Sequence, residues 1–192
     1  MMISLTGTPG TGKTSIAALV EKQLDIKIIH VHSFAKEHNL ICGFDTDRNS
    51  DIIDIDRMDE LLFKNINPSE IVLLDGHISH LFTCISKIIV LRCNPEVLEE
   101  RLQERGWEDK KIIENIQAEI LDVILCEAID NKSIEQVYEI DTSVENEKEV
   151  SHKITSLIKS NFSDNRYHPG NIDWSDFLFK NKFIRSDRWN GP

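Results

Sequence analysis

The side chains best equipped for chemistry stand together near the amino terminus, in Gly7-Thr8-Pro9-Gly10-Thr11-Gly12-Lys13-Thr14. Their spacing is G-x-x-x-x-G-K-[ST]. Glycines there let a loop turn its backbone N–H groups inward around an anion, and a helix starting at the loop's end adds positive potential. Lys13 can then reach the β- and γ-phosphates of a nucleoside triphosphate, and the Thr14 hydroxyl can ligate Mg²⁺. The flanks meet the motif's requirements. Met2-Ile3-Ser4-Leu5 predicts a short buried strand before the loop, and Ser15-Ile16-Ala17-Ala18-Leu19-Val20 a helix after it.

Three more residues fit the same chemistry. Asp75 ends the apolar run Ile71-Val72-Leu73-Leu74. A carboxylate there can hold Mg²⁺ through water opposite Thr14, or simply cap the next turn. His77 follows two residues later and either meets a phosphate or a water, or is a solvated loop histidine. Arg105 precedes Gly106 in Arg101-Leu102-Gln103-Glu104-Arg105-Gly106-Trp107, a segment suited to a small lid. An arginine beside a hinge glycine can swing onto a transferring phosphoryl group. Arg101 reads instead as a surface residue paired with Glu100, Glu104 or Glu108. No N-K-x-D base-recognition motif occurs, and an Asp-rich insert over residues 43–56 stands where an acceptor-binding flap would sit. Both point to a small kinase over a signalling GTPase.

The elements that must position these groups follow from pattern. Apolar strands are predicted at residues 2–5, 26–31, 71–75, 87–92 and 136–140, alternating with helices. Near-continuous apolar strands of this kind form a parallel sheet covered on both faces, with ligands at the strands' carboxyl ends. Ser33 is expected to cap a short helix reaching His38. Residues 43–56 read as a loop with an extended piece at 52–53. Helices are expected over 57–66 (ended by Pro68), from Asn94-Pro95-Glu96 to Arg105, over 109–129 and over 147–158.

Composition bounds the rest. A chain of 192 residues, 40% hydrophobic and 29% charged, suits one soluble domain with an appendage. No run approaches a membrane span and no secretory signal is evident, so a cytoplasmic location is expected. The scattered cysteines (Cys42, Cys84, Cys93, Cys126) read as reduced and mostly buried. His30-x-His32 and His77-x-x-His80 lack the neighbours of a zinc site. A net charge of −11 argues against an extended grip on nucleic acid.

Taken together, the glycine loop, the Asp75-Gly76-His77 strand end, Leu91-Arg92 followed by Leu98-Glu99-Glu100-Arg101-Leu102-Gln103-Glu104-Arg105-Gly106, and Asn115-Ile116-Gln117-Ala118-Glu119-Ile120 resemble the CINAP-type adenylate kinases. The resemblance covers roughly residues 1–160. It implies an α/β P-loop kinase fold: a central five-stranded parallel sheet with helices on both faces, a nucleotide-monophosphate flap near residues 30–53 and a lid near 104–114. It implies ATP as phosphoryl donor with Mg²⁺, AMP as acceptor giving two ADP, and some ATPase activity. It further implies a role in maturing the small ribosomal subunit, with a platform ribosomal protein (small-subunit protein eleven) as partner. Gly10, Thr11, Gly12, Lys13, Thr14 and Ser15 then hold ATP, Arg105 reaches it from the lid, and His77 is the family's D-x-H histidine. Lys36 occupies a place where adenylate kinases present an arginine to the AMP phosphate, and lysine lacks that bidentate fork.

Residues 161–192 form an aromatic and basic arm. Its five basic and four acidic residues leave it at +1, against −12 for residues 1–160. It is expected to serve partner recognition more than chemistry, the alternative being that Trp174 and Phe177 fold back on the body.

Overall fold

A computed structural model describes residues 1–46, 50–67 and 69–179. Its centre is a five-stranded parallel sheet in the order β2-β5-β1-β6-β7. The strands are β1 (Met2–Gly7), β2 (Lys27–His30), β5 (Val72–Asp75), β6 (Lys87–Arg92) and β7 (Val137–Asp141). A two-stranded antiparallel hairpin, β3 (Ile41–Asp45) and β4 (Ser50–Ile53), stands apart from it. The predicted sheet is therefore the observed one.

Strand alternation divides the core. Val72, Leu74, Ile88 and Val90 point to one face, where α2 (Val31–Glu37), α3 (Ile55–Asn65) and α6 (Val123–Asn131) bring Ala35, Met58, Leu62, Leu125 and Ala128. Leu73, Ile89, Leu91 and Ile140 point to the other, where α1 (Lys13–Leu24) and α7 (Glu147–Lys159) bring Ile16, Val20, Val150, Ile154 and Leu157. Successive side chains of a strand alternate between faces, so apolar runs with no polar phase are what a doubly covered sheet requires.

A third cluster forms where the chain doubles back after β6, in the segment expected to be the lid. α4 (Pro95–Glu104) and α5 (Asp109–Ile120) pack Leu98, Leu102, Ile112, Ile116 and Ile120 together with Phe177, and Trp107 and Trp174 close over them. Asn94 caps α4 by accepting from the Glu96 amide, with Pro95 in the first turn, and the chain leaves at Gly106, φ 69°.

Several boundaries differ from expectation. Helix α2 starts at Val31 with His30 at its N-cap and no side-chain cap, so Ser33 lies inside it. The stretch read as a loop from 43 is mostly the β3–β4 hairpin, although residues 47–49 lie outside the description, as does Pro68. The long helix expected over 109–129 is two, α5 and α6, broken at Asp122, φ 54°. The break lets α5 stay with the lid cluster while α6 turns onto the sheet. Of the cysteines, all free, only Cys93 is buried; Cys42 and Cys126 are exposed on the outer faces of the hairpin and α6. Arg101 does not pair with its acidic neighbours as expected. It donates to the Thr142 carbonyl at 2.7 Å, tying α4 to the loop after β7.

The described part of the arm corrects the expectation of a segment free to meet a partner. Phe162 joins the α1–α7 core, and Trp174 and Phe177 join the lid cluster. Lys180, Lys182, Phe183, Arg185, Arg188 and Trp189 lie outside the described residues.

Candidate functional site

The parallel register sets the carboxyl ends of three strands side by side. Leu5 of β1 pairs with Asp75 of β5, and His30 of β2 pairs with the same Asp75. The glycine loop leaves β1 at this edge and feeds α1. Gly12 caps α1 at φ 89°, and Gly10 stands at φ 99° where a Cβ would come within 2.6 Å of Leu98. Both positive φ values strain any side chain, and at Gly10 the absence of a Cβ is what lets the loop close against Leu98 and Leu102 of α4.

Lys13 bends back over the loop and donates to the carbonyls of Gly7 (2.7 Å) and Thr8 (3.0 Å). Burial lowers its pKa to about 8, with Arg105 pushing the same way and Asp75 and Glu119 opposing. Thr14 donates to Asp75 Oδ2 at 2.9 Å, and His30 Nδ1 donates to the same oxygen at 2.9 Å. Asp75 Oδ1 is buried with no partner. A buried carboxylate oxygen left open beside a hydroxyl is a hard-oxygen donor set, which suits Mg²⁺ and not a soft metal. Among the described residues no cluster of His, Cys, Asp and Glu suggests another metal site.

His77 lines the same cleft. Its turn is fixed from below, since Thr6 donates to the His77 carbonyl at 3.1 Å and bonds His80 Nδ1 at 3.0 Å. Desolvation, then the charge of Lys13, pushes the His77 pKa below its usual value, so the ring is neutral at pH 7. A neutral imidazole can donate or accept at the cleft wall without adding a cation.

The cleft has a volume of about 1440 Å³ and runs from the loop (Pro9 to Ser15) past Asp75 and His77 to the flap, where Phe44, Asp51 and Ile53 line it. Arg105, Trp107 and Lys111, from the segment expected to be the lid, also line it, Lys111 lying 4.6 Å over the Trp107 ring. Arg105 also borders a second cavity, about 410 Å³, behind Gly10–Gly12, with Arg101, Thr142 and Glu145. Glu145 Oε1 accepts from Lys153, and its Oε2 is buried without a partner. On the flap, His32 bonds Asp51 at 2.9 Å and Lys36 approaches the same carboxylate at 3.5 Å. The His32 bond, ahead of the Lys36 charge, holds the Asp51 carboxyl below its usual range.

Gly10, Gly12, Lys13, Thr14, Ser15, Asp75, His77 and Arg105 thus share one cleft; Thr11 faces the second cavity and Lys36 stands behind Asp51. Sequence reading passed over Asp51 and Lys111, and weighed His30 only as half of a discarded zinc pair. His30 carried one signal, its position at the end of a predicted strand.

The profile of the family described as AAA domain (AAA_18) matches residues 3–122. A protein of Methanocaldococcus jannaschii named "Putative adenylate kinase" is 40% identical over 179 residues, covering 93% of this chain and 96% of its own. One of the same name from Archaeoglobus fulgidus is 42% identical over 175 residues, covering 91% and 92%. Such coverage reaches past residue 160 into the arm. Among solved structures, shikimate kinase from Acinetobacter baumannii aligns at TM-score 0.58 and 16% identity over 85% of this chain and 95% of its own. Shikimate kinase from Bacteroides thetaiotaomicron aligns at 0.56 and 17% over 83% and 98%. No helix among the described residues is long and apolar enough to cross a membrane. A loop that cages Lys13, a strand-end Asp75 joined to Thr14, Arg105 lining the same cleft, and these matches lead to one identification: the chain has the P-loop kinase fold and belongs to the AAA-domain family and to the family of these archaeal proteins.

Proposed function

We propose that the protein is a nucleoside-monophosphate kinase of the CINAP type, transferring the γ-phosphoryl group of ATP to AMP to give two ADP. The observation that carries this reading is the single cleft joining the glycine loop to the flap, because a phosphoryl transfer needs donor and acceptor phosphates in one water-poor space. The ATP phosphates lie along Gly10, Thr11, Gly12, Lys13, Thr14 and Ser15. The base enters the smaller cavity, lined by Thr142 and Glu145, the latter with a buried Oε2 that has no hydrogen-bond partner in the free protein. AMP lies on the flap side, its phosphate toward Lys36 and His32. Thr14 and Asp75 would hold Mg²⁺, which would supply positive charge against the triphosphate. Lys13 follows the phosphoryl group, Arg105 closes from the lid onto its oxygens, and neutral His77 hydrogen-bonds an oxygen at the meeting point. The archaeal relatives' shared name, "Putative adenylate kinase", supports the choice of acceptor.

Acceptor binding tests the reading. By titration calorimetry AMP should bind more tightly than other nucleoside monophosphates or small hydroxy acids. Lys36→Arg should tighten it by about five- to tenfold, since a guanidinium can grip a phosphate with two hydrogen bonds. Tighter binding of another acceptor would make the protein a kinase of that molecule instead.

The metal can be tested separately. Asp75→Asn is expected to lower Mg·ATP turnover by about 10²-fold or more, while metal-free ATP binding changes little. Equal losses with and without Mg²⁺ would reduce Asp75 to a turn cap.

Lys13 gives a pH signature. Above pH 8 the free protein loses this charge, and a bound triphosphate restores it by raising the pKa. ATP affinity should therefore fall from pH 7 to pH 9.5, and binding at pH 9 should take up a proton, read from calorimetry in two buffers of different ionisation heat. Affinity independent of pH would contradict this role.

The resemblance extends the proposal to ATP hydrolysis linked to small-subunit maturation, with a platform ribosomal protein as partner. What supports it is the end of the described arm, where Phe179 is 85% exposed immediately before the basic residues 180–188. Stimulation of ATP hydrolysis by that ribosomal protein is the test.

A further inference from the structure

Glu119, on α5, is 3% exposed and carries a load that phosphoryl transfer does not explain. Its Oε2 accepts the hydroxyl of Thr8, inside the glycine loop. Its Oε1 accepts from Arg92 Nε (2.9 Å), the Cys93 amide (3.0 Å) and Trp174 Nε1 (3.3 Å). Thr8 in turn shapes the loop, since its carbonyl accepts from Lys13 (3.0 Å), from the Thr11 amide (3.2 Å) and from the Thr11 hydroxyl (2.9 Å).

The same carboxylate begins a chain that ends in the arm. Arg92 is 1% exposed and also binds Asp122 and Glu139. Glu139 Oε1 accepts three successive backbone amides, from Gly170 (3.0 Å), Asn171 (2.8 Å) and Ile172 (3.0 Å). One guanidinium faces three carboxylates. Buried charge short of a counter-charge is costly unless hydrogen bonds complete it. Here the arm supplies four of the donors: three amides on Glu139 and the Trp174 indole on Glu119.

We propose that Glu119 is a positioning residue for the nucleotide loop, and that residues 170–174 of the arm act through it on ATP binding. This rests on reading the loop as the ATP site. The arm is a strap whose donors hold the Glu119 carboxylate aimed at Thr8, and Thr8 holds the carbonyl that receives Lys13. ATP affinity then depends on a segment outside the cleft, while AMP affinity does not.

Thr8→Val removes the hydroxyl at nearly constant volume, and Thr8→Ser restores it. Trp174→Phe keeps the ring against the lid cluster and removes the indole donor. In the full chain below its melting temperature, Thr8→Val should raise the KM for ATP about tenfold, as expected for losing a hydrogen bond to a charged group. Thr8→Ser should return most of it. Trp174→Phe should raise it about two- to fivefold, the smaller effect of one long bond among several. The KM for AMP should stay within about twofold in all three, a split that a general loss of structure does not produce. An unchanged ATP KM in Thr8→Val or in Trp174→Phe overturns the inference, as does a matching rise in the KM for AMP. If Thr8→Val fails to fold, Thr8→Ser and Trp174→Phe decide it: no ATP-specific change in Trp174→Phe is a refutation. Failure of the unaltered protein to bind ATP by calorimetry would instead remove the reading of the loop, and this inference with it.

Discussion

Lys13→Ala is expected to lower turnover by on the order of 10²–10³-fold, the usual cost of removing one preorganised positive donor from a transferring group. The melting temperature should stay the same or rise. In the free protein Lys13 is a half-buried ammonium whose pKa desolvation has lowered to about 8, so its charge strains the folded state at neutral pH. Its removal leaves the Gly7 and Thr8 carbonyls to water at the cleft wall. Activity and stability should thus part company, as they do where a site is kept poised at some expense in stability. Steady-state kinetics and thermal melting on the same preparation check this. Near-normal turnover would contradict the loop assignment, and a collapse in melting would make Lys13 a structural residue.

Truncation after Phe162 is expected to have the largest effect on stability. It removes Trp174 and Phe177 from the lid cluster and strips four hydrogen-bond donors from buried Glu119 and Glu139. Leaving buried carboxylates under-compensated costs about 3–5 kcal/mol. For a chain of this size that corresponds to a fall in Tm on the order of 10 °C. The arm thus reads as a strap over its described length. An unchanged Tm would return residues 163–179 to the class of free partner-binding segments.

What could be read from the sequence followed the range of each interaction. Lys13, Thr14 and Asp75 were legible because a local motif and an apolar run place them without reference to the rest of the chain. His30 was not: it pairs with Asp75, 45 residues later in the chain, only through the strand order, and no local pattern records that register. The flap hairpin was read as loop because its strands are only five and four residues long and its sequence is rich in Asp. The α5–α6 break escaped because neither Gly nor Pro marks it. Asp122 takes a left-handed conformation there while its carboxylate meets Arg92.

The arm shows the same limit from the other side. Aromatic and basic residues in a terminal segment have the composition of a partner-binding element, and composition carries no information on what lies opposite. Glu139, three residues into β7, decides the matter for Gly170, Asn171 and Ile172, and a buried acidic residue in a predicted strand was the available clue.

The central claim is the reaction itself, and product analysis tests it most directly. The protein is incubated with Mg·ATP and AMP, and nucleotides are separated and quantified over time, with parallel samples lacking AMP or carrying Lys13→Ala. Two ADP should form for each AMP consumed, with little inorganic phosphate, reversal from ADP alone, and loss of all of this in Lys13→Ala. AMP left unconsumed while ATP is hydrolysed, or while another acceptor is phosphorylated, would contradict it.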